Sequence, residues 1–299
     1  MARDDTSSDF DTSARQTLRR LLVVGAVGVA AALLWIAAGE LGRRQAIEEL
    51  SDRSNSTIAS AASVLRSEID KQRTVPVVLA EDPDVIATLR RPNRPSLDRI
   101  DRRLEALAKT TGASVIYLIA RSGWAIAASN YADPESFVGN DYRFRRYFSA
   151  AMRDGQAEQY ALGSVSRRPG LYIARRVGSA AEPLGVIVLK VELDSVEETW
   201  RAGGGLLFAV DTHGVVLATT EPDLRFRTLN PMPPPERAAI RESLQFGEAP
   251  LEPIEGWNLN DNAPFVTMLR SPGETTLFVS QRSLPDPLLP WRLYLGIPA

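Results

Sequence analysis

Cysteine is absent from this chain, and histidine occurs once, at His213. The first absence excludes disulfides, thiolate metal sites and cysteine nucleophiles; the second excludes multi-histidine metal centres. No cluster of acids at ligand spacing takes their place, so neither a metal nor a cofactor is expected. His213 stands in a Thr-His-Gly turn between two strand-like runs, the wrong setting for a phospho-acceptor on a helix. Gly203-Gly204-Gly205 is not followed by Lys-Ser/Thr, so it reads as a flexible joint rather than a phosphate loop. A large charge of one sign is also lacking. The net charge is −2 and the pI is ≈ 5.7, which gives no footprint for nucleic acid. Enzymatic chemistry is therefore not expected of these residues.

What is present is an ordinary globular composition, 44% apolar and 24% charged over 299 residues, enough for two compact units. Its one compositional anomaly runs from Gly139 to Val177. Eight arginines (Arg143, Arg145, Arg146, Arg153, Arg167, Arg168, Arg175, Arg176) stand there against three acids, interleaved with Tyr142, Phe144, Tyr147, Phe148, Tyr160 and Tyr172. A guanidinium matches a carboxylate as a planar fork, and aromatic rings supply rigid walls, so the stretch can build a pocket for a carboxylate. It can equally be a basic surface helix with its aromatic residues turned to a core.

Residues 1–20 are polar and read as a cytoplasmic tail. From Leu21 to Ala38 there is no charge over 18 residues, long enough to cross a bilayer core of roughly 30 Å and longer than the core of a cleaved signal peptide. A membrane helix is expected at 21–39, with the bulk of the chain outside. From Arg44 to Gln72 apolar or small residues recur every three or four positions (Ile47, Leu50, Ser54, Ile58, Ala61, Leu65, Ile69), a helical seam that suits either a homodimer through 44–72 or docking on the chain's own sheet. The stalk is set at 40–75. Pro76, Pro83, Pro92 and Pro95 are expected to break the helical pattern into short pieces, before a second helix, Leu97 to Thr110, capped by Ser96. Strand-like runs come next at Ser114–Ile119 and Trp124–Ser129, then a basic helix at Tyr142–Met152, and strands at Tyr160–Ser164, Leu171–Arg175 and Gly185–Leu193. This module spans 76–200. After the glycine joint a second module, 201–299, repeats the hairpin pattern of the first, LIARSGWAIAAS against AVDTHGVVLATT. Pro231–Pro235 and Glu248–Pro264 read as loop, with final strands at Thr275–Arg282 and Trp291–Gly296. Helices followed by interrupted antiparallel sheets give an α+β class with two PAS-like modules.

Asn140-Asp141-Tyr142-Arg143-Phe144-Arg145-Arg146-Tyr147-Phe148, then Ala161-Leu162-Gly163-Ser164 and Gly170-Leu171-Tyr172-Ile173-Ala174, resemble the ligand-binding segment of bacterial C4-dicarboxylate sensor histidine kinases of the DctB type. Val210 to Val216 and Arg225 to Leu229 resemble their membrane-proximal module. The resemblance implies a double Cache fold, a location in the bacterial inner membrane with the bulk periplasmic, and a role relaying dicarboxylate occupancy to the control of uptake. It further implies an ATP-dependent protein-histidine kinase core C-terminal to residue 299, with a cytoplasmic response regulator as its partner. By the same resemblance Arg145 grips one carboxylate, Tyr142 adds a hydroxyl and Lys190 grips the other carboxylate, with further contacts at Arg143, Ser129, Ser164 and Tyr172. Arg146 departs from the family's usual proline, implying an extra cation beside the site, and Arg175-Arg176 replaces an aromatic-proline pair. Two other readings stay open: a receptor of the same fold for an amino acid or other small anion, whose ammonium partner would be Asp141 or Asp194, and a membrane-anchored scaffold that binds no small molecule.

Overall fold

The computed structural model describes residues 8–259, 265–270 and 273–298. The chain divides after Arg53 into two compact units. The first is part of the long helix α1 (Ser8–Ala80), on which Leu33, Leu34, Trp35 and Ile36 are all more than half exposed. Among the described residues no helix is long and apolar enough to cross a membrane. The expected span at 21–39 falls mostly on side chains outside the described residues.

In the second unit, 54–299, α1 continues through Pro76 to Ala80. The expected break at Pro76 does not occur, because Leu79 and Ala80 beyond it are buried in the core, and that burial opposes the roughly 3 kcal/mol cost of an interior proline. Pro83 and Pro95 do act as punctuation, each in the first turn of a helix, α2 (Pro83–Arg90) and α3 (Arg94–Thr111). The cap of α3 is Asn93 rather than Ser96. Asn93 Oδ1 accepts from the Ser96 N–H, and the Ser96 hydroxyl accepts from the Asn93 N–H in return, a reciprocal capping box.

Next come β1 (Val115–Ala120), β2 (Ala125–Ala128), α4 (Arg146–Asp154), β3 (Gln156–Leu162), β4 (Pro169–Gly178) and β5 (Pro183–Val191). Helix α5 (Asp194–Ala202) leads to β6 (Leu206–Val210), β7 (Val216–Thr219), α6 (Pro234–Glu242), β8 (Phe265–Arg270), β9 (Gly273–Ser283) and β10 (Arg292–Pro298). The strands form two antiparallel sheets, ordered β2-β1-β5-β4-β3 and β7-β6-β10-β9-β8. The two orders are the same once renumbered, so the sequence repeat marks the first hairpin of each sheet. The fold is α+β, two antiparallel sheets behind a long helix, as in Cache and PAS-like sensor domains. Helix α6 and strand β8 were not foreseen. The Pro233–Pro235 run reads as loop, yet proline in a first turn fixes φ for the helix that buries Ile240.

One continuous core underlies both sheets. It joins Ile58, Leu65 and Ile69 of α1 to Ile116, Leu118, Ile187 and Leu189 of the first sheet and Leu207, Leu293 and Leu295 of the second. The helical seam, from Ile58 onward, is thus filled by the chain's own sheets. Trp200 of α5 donates its indole N–H to the Ala61 carbonyl at 3.2 Å, fixing the joint between sheets to the helix. Arg73 of α1 donates to Glu158 on β3 at 2.7 and 2.6 Å and to Asp286, beyond β9, at 2.6 Å. Both carboxylates are nearly buried, so this one guanidinium, which also pairs with Asp70 on its own helix, bridges an acid from each half of the unit. Arg73→Leu should cost about 3 kcal/mol of stability by stranding those two charges, read as a lower urea midpoint. An unchanged midpoint would remove Arg73 as the clamp.

Candidate functional site

The first sheet has one face on the long helix and another covered by α4 and the 137–145 loop. Strand alternation and register put Val115, Lys190, Tyr172 and Gln159 in one row on the second face, with Tyr117, Val188, Ala174 and Ala157 in the next. Lys190 and Tyr172 are therefore direct cross-strand neighbours. A Cβ on Gly170 would stand 2.9 Å from Lys190 Cε, so this glycine makes the room that the lysine stem crosses.

Above the row lies an aromatic cage. Tyr117 meets Phe137 edge-on at 5.1 Å and Tyr142 at 5.2 Å, and Tyr147 stacks on Tyr172 at 5.0 Å and 7°. The Tyr117 and Tyr147 hydroxyls share a hydrogen bond of 2.7 Å. Burial holds the phenols of Tyr117, Tyr142 and Tyr147 above their usual range and pushes Tyr172 up to about 12, so all four are neutral donors at physiological pH; Arg145 opposes the rise at the last three.

Arg145 is the N-cap residue of α4 rather than a residue within the helix, which begins four residues later than expected. A turn, Arg145 N–H to Tyr142 carbonyl at 3.0 Å, and an extended backbone swing its side chain inward, where only 2% of the residue is exposed. Its guanidinium donates to the carbonyls of Leu162 at 2.8 Å and Leu244 at 3.1 Å. These are neutral acceptors that do not offset the positive charge, and the positive end of the α4 dipole adds to it. Arg145 Nε and the Tyr142 hydroxyl are buried without a hydrogen-bond partner.

Lys190 is fully buried at the end of β5, and burial pulls its ammonium below its usual pKa while the bond to Glu192 opposes that fall. Its Nζ donates to Glu192 at 2.7 Å and to the Ser166 hydroxyl at 3.0 Å. Arg145, Tyr142, Tyr172 and Lys190 therefore surround one buried face. The other predicted contacts lie elsewhere. Arg143 is a surface residue forked onto Asp141, Ser164 is exposed in the turn after β3, and the Ser129 hydroxyl accepts the Ile116 N–H at 3.0 Å. Arg146 stands outside the cage, lining a cleft of ≈ 290 Å³ with Glu158, Asp211, His213 and Trp291. Arg176 caps the C-terminus of α4 through the Met152 and Arg153 carbonyls. Tyr117, Ser166 and Glu192 were not singled out, and Tyr147 was named only among the aromatic walls. Tyr147 lies two residues beyond Arg145 in the same motif, but nothing local distinguishes Tyr117 from its apolar neighbours on β1.

No protein-family model matches the chain. It is 47% identical over 274 residues to the C4-dicarboxylate transport sensor protein DctB of Rhizobium meliloti (strain 1021), covering 89% of this chain and 44% of that protein. The V. cholerae histidine kinase DctB sensor domain superimposes with a TM-score of 0.76 at 28% identity, over 84% of this chain and 98% of that domain. The chain is similar to the sensor part of DctB kinases. It spans less than half the length of that first relative. The ligand-binding domain of the Pseudomonas fluorescens chemoreceptor CtaA, solved with L-serine, shares the fold with a TM-score of 0.59 at 17% identity, again over 84% of this chain and 98% of that domain.

The cage predicts opposite signs for two conservative variants. Tyr142→Phe removes a buried, unpartnered hydroxyl and should leave the ligand-free protein as stable or up to about 1 kcal/mol more stable, whereas Tyr147→Phe breaks the bond to Tyr117 and should cost about 1 kcal/mol. Urea denaturation of both compares them directly; equal losses would contradict the hydrogen-bond assignment.

Proposed function

We propose that residues 54–299 are the extracytoplasmic ligand-binding region of a two-component sensor histidine kinase, and that the face holding Arg145 and Lys190 takes a C4-dicarboxylate of the succinate, malate and fumarate class. The observation that carries the reading is two buried cations on separate elements, with Arg145 Nε and the Tyr142 hydroxyl still lacking acceptors between aromatic walls. A diacid needs one counter-charge at each end, and its oxygens would supply the missing acceptors. Similarity to DctB proteins supports the same class. In this reading residues 21–39 cross the inner membrane, supported by the exposed apolar side chains at 33–36, and the bulk of the chain is periplasmic. The kinase core and its response regulator act on the cytoplasmic side. Two copies pair along 44–72, using the polar α1 face around Ser63 and Ser67 that the core leaves open.

The structure favours the diacid over the other readings. Asp141 is forked onto Arg143 at the surface, and Asp194 is mostly exposed and bound to Arg168, so neither is placed to receive a buried ammonium. At least half of the stretch's eight arginines are already engaged, which counts against a basic patch for lipid headgroups: Arg145 is buried, Arg153 pairs with Asp154, Arg168 with Glu192 and Asp194, and Arg176 with carbonyls.

The signal has a physical route. Arg145 also donates to Leu244, in the second half of the unit, so a carboxylate that repositions the guanidinium is felt there directly. Moving a two-state receptor from about 1:99 to 99:1 requires roughly 5.5 kcal/mol of differential binding, within reach of a few charge-assisted bonds.

Calorimetric titration of the full chain in detergent with succinate, malate, fumarate and malonate, with acetate and aspartate as controls, tests the reading. Saturable binding of diacids alone is expected, and Arg145→Ala should weaken it by about 2 to 4 kcal/mol. Unchanged affinity in that variant would sink the site. Light scattering at high concentration that found monomer alone would count against pairing along 44–72.

A further inference from the structure

The lysine proposed to grip the second carboxylate already holds one. Glu192 lies two residues beyond Lys190, is 15% exposed, and is gripped from three sides: by Lys190 Nζ at 2.7 Å, by the Ser114 hydroxyl at 3.0 Å and by Arg168 at 2.7 Å. Arg168, on the loop between β3 and β4, also reaches Asp194 at 2.5 Å, and Ser166 of the same loop contacts Lys190. Loop, lysine and acid thus form one network over the end of the candidate site.

We propose that Glu192 is an internal counter-carboxylate that competes with the ligand for Lys190 and thereby sets both affinity and selectivity, an inference that rests on the diacid reading above. A carboxylate tethered two residues away acts at a high effective concentration. A free monoacid has only Lys190 to gain and does not displace it. A diacid anchored at Arg145 brings its second carboxylate to Lys190 as an intramolecular group too, so the two compete on equal terms. On displacement Glu192 is not stranded, because Arg168 and Ser114 still hold it. The exchange conserves the pairing of every charge: Lys190 passes from Glu192 to the ligand while Glu192 remains with Arg168.

The charge count agrees. Lys190 and Arg168 balance Glu192 and Asp194, and Arg145 rests on carbonyls alone, so the candidate site carries one surplus positive charge before ligand arrives. A fully ionised diacid brings about two negative charges. Full neutralisation is thus withheld by Glu192, and removing its charge should tighten binding rather than weaken it. A purely structural role, orienting the Lys190 stem, predicts the reverse. Arg168 gives the opposite sign from the same logic, since without it Glu192 has only Lys190 and Ser114 to turn to.

The test is calorimetry on the full chain in detergent with succinate and acetate, comparing wild type, Glu192→Gln, Arg168→Ala and the surface control Glu182→Gln, each checked for folding by circular dichroism. Glu192→Gln should bind succinate at least about tenfold more tightly and gain measurable acetate binding, while Arg168→Ala should weaken succinate severalfold and Glu182→Gln should match wild type. Wild-type binding with no gain in Glu192→Gln, or an equal gain in Glu182→Gln, overturns the inference and leaves the diacid reading standing. Succinate binding that emerges only in Glu192→Gln supports both. No succinate binding in either protein overturns the diacid reading and this inference with it.

Discussion

A charge taken out of water must be met, and this constraint shapes the half of the second unit built on the first sheet. Arg145 and Lys190 are 2% and 0% exposed, in a chain with no metal-binding cysteine or histidine cluster to share the work. The two are met differently. Arg145 donates to two carbonyl dipoles, which do not cancel its charge and leave its Nε without an acceptor, and it stands at the positive end of α4. Lys190 rests on a full carboxylate. In the proposed reading one end of the site is therefore a standing attractor for anions and the other a guarded one, and the ligand meets Arg145 first and Lys190 by exchange.

The same pair of carbonyls explains how the site is wired to the rest of the unit. Leu162 ends β3, and its N–H donates to the Gln245 carbonyl at 2.8 Å, while the Gln245 side chain donates to the Tyr160 carbonyl at 3.0 Å. Residues 244–245 thus lie along β3 like a short added strand. Leu244 takes a left-handed backbone, φ 53°, at a cost of order 1 kcal/mol that an apolar residue meets only when its surroundings hold it there. Arg145 is one of the groups that hold it. Beside it, Tyr160 donates to the Leu217 carbonyl at 2.9 Å, and Arg73 clamps acids from both halves. These are directional contacts with few alternatives, the kind of junction that switches rather than bends.

Much of this was written locally. Alternating apolar residues marked the strands, the paired hairpins marked the repeat, and the dense Arg-Tyr motif marked a stretch within which the family resemblance singled out Arg145 and Tyr142. A lysine among Val188, Leu189 and Val191 marked itself. What escaped was set by pairing between distant segments. The role proposed for Glu192 depends on the register that aligns Lys190 with Tyr172 and on Arg168 reaching Glu192 from the loop before β4; neither fact is visible in a linear charge count. Ser129, Ser164 and Arg143 carry plausible chemistry at plausible spacing, but a backbone N–H, solvent and Asp141 have first claim on them. Pro76 misled for a related reason, since propensity is local and the burial of Leu79 is not.

The two sheets share one strand order, which allows their rows to be compared position by position. Where the first has Val115, Lys190 and Tyr172 across three strands, the second has Leu206, Gly296 and Val279. Where the first has Tyr117 opposite Val188, the second has Phe208 opposite Tyr294, stacked at 5.4 Å. The corresponding face is filled by Trp257, Ile254, Val266 and Met268, and among the described residues it holds no buried cation. Duplicated topology with one face charged and the other apolar separates two tasks. In the proposed reading the charged face of the first sheet takes the ligand, and the apolar face of the second does not.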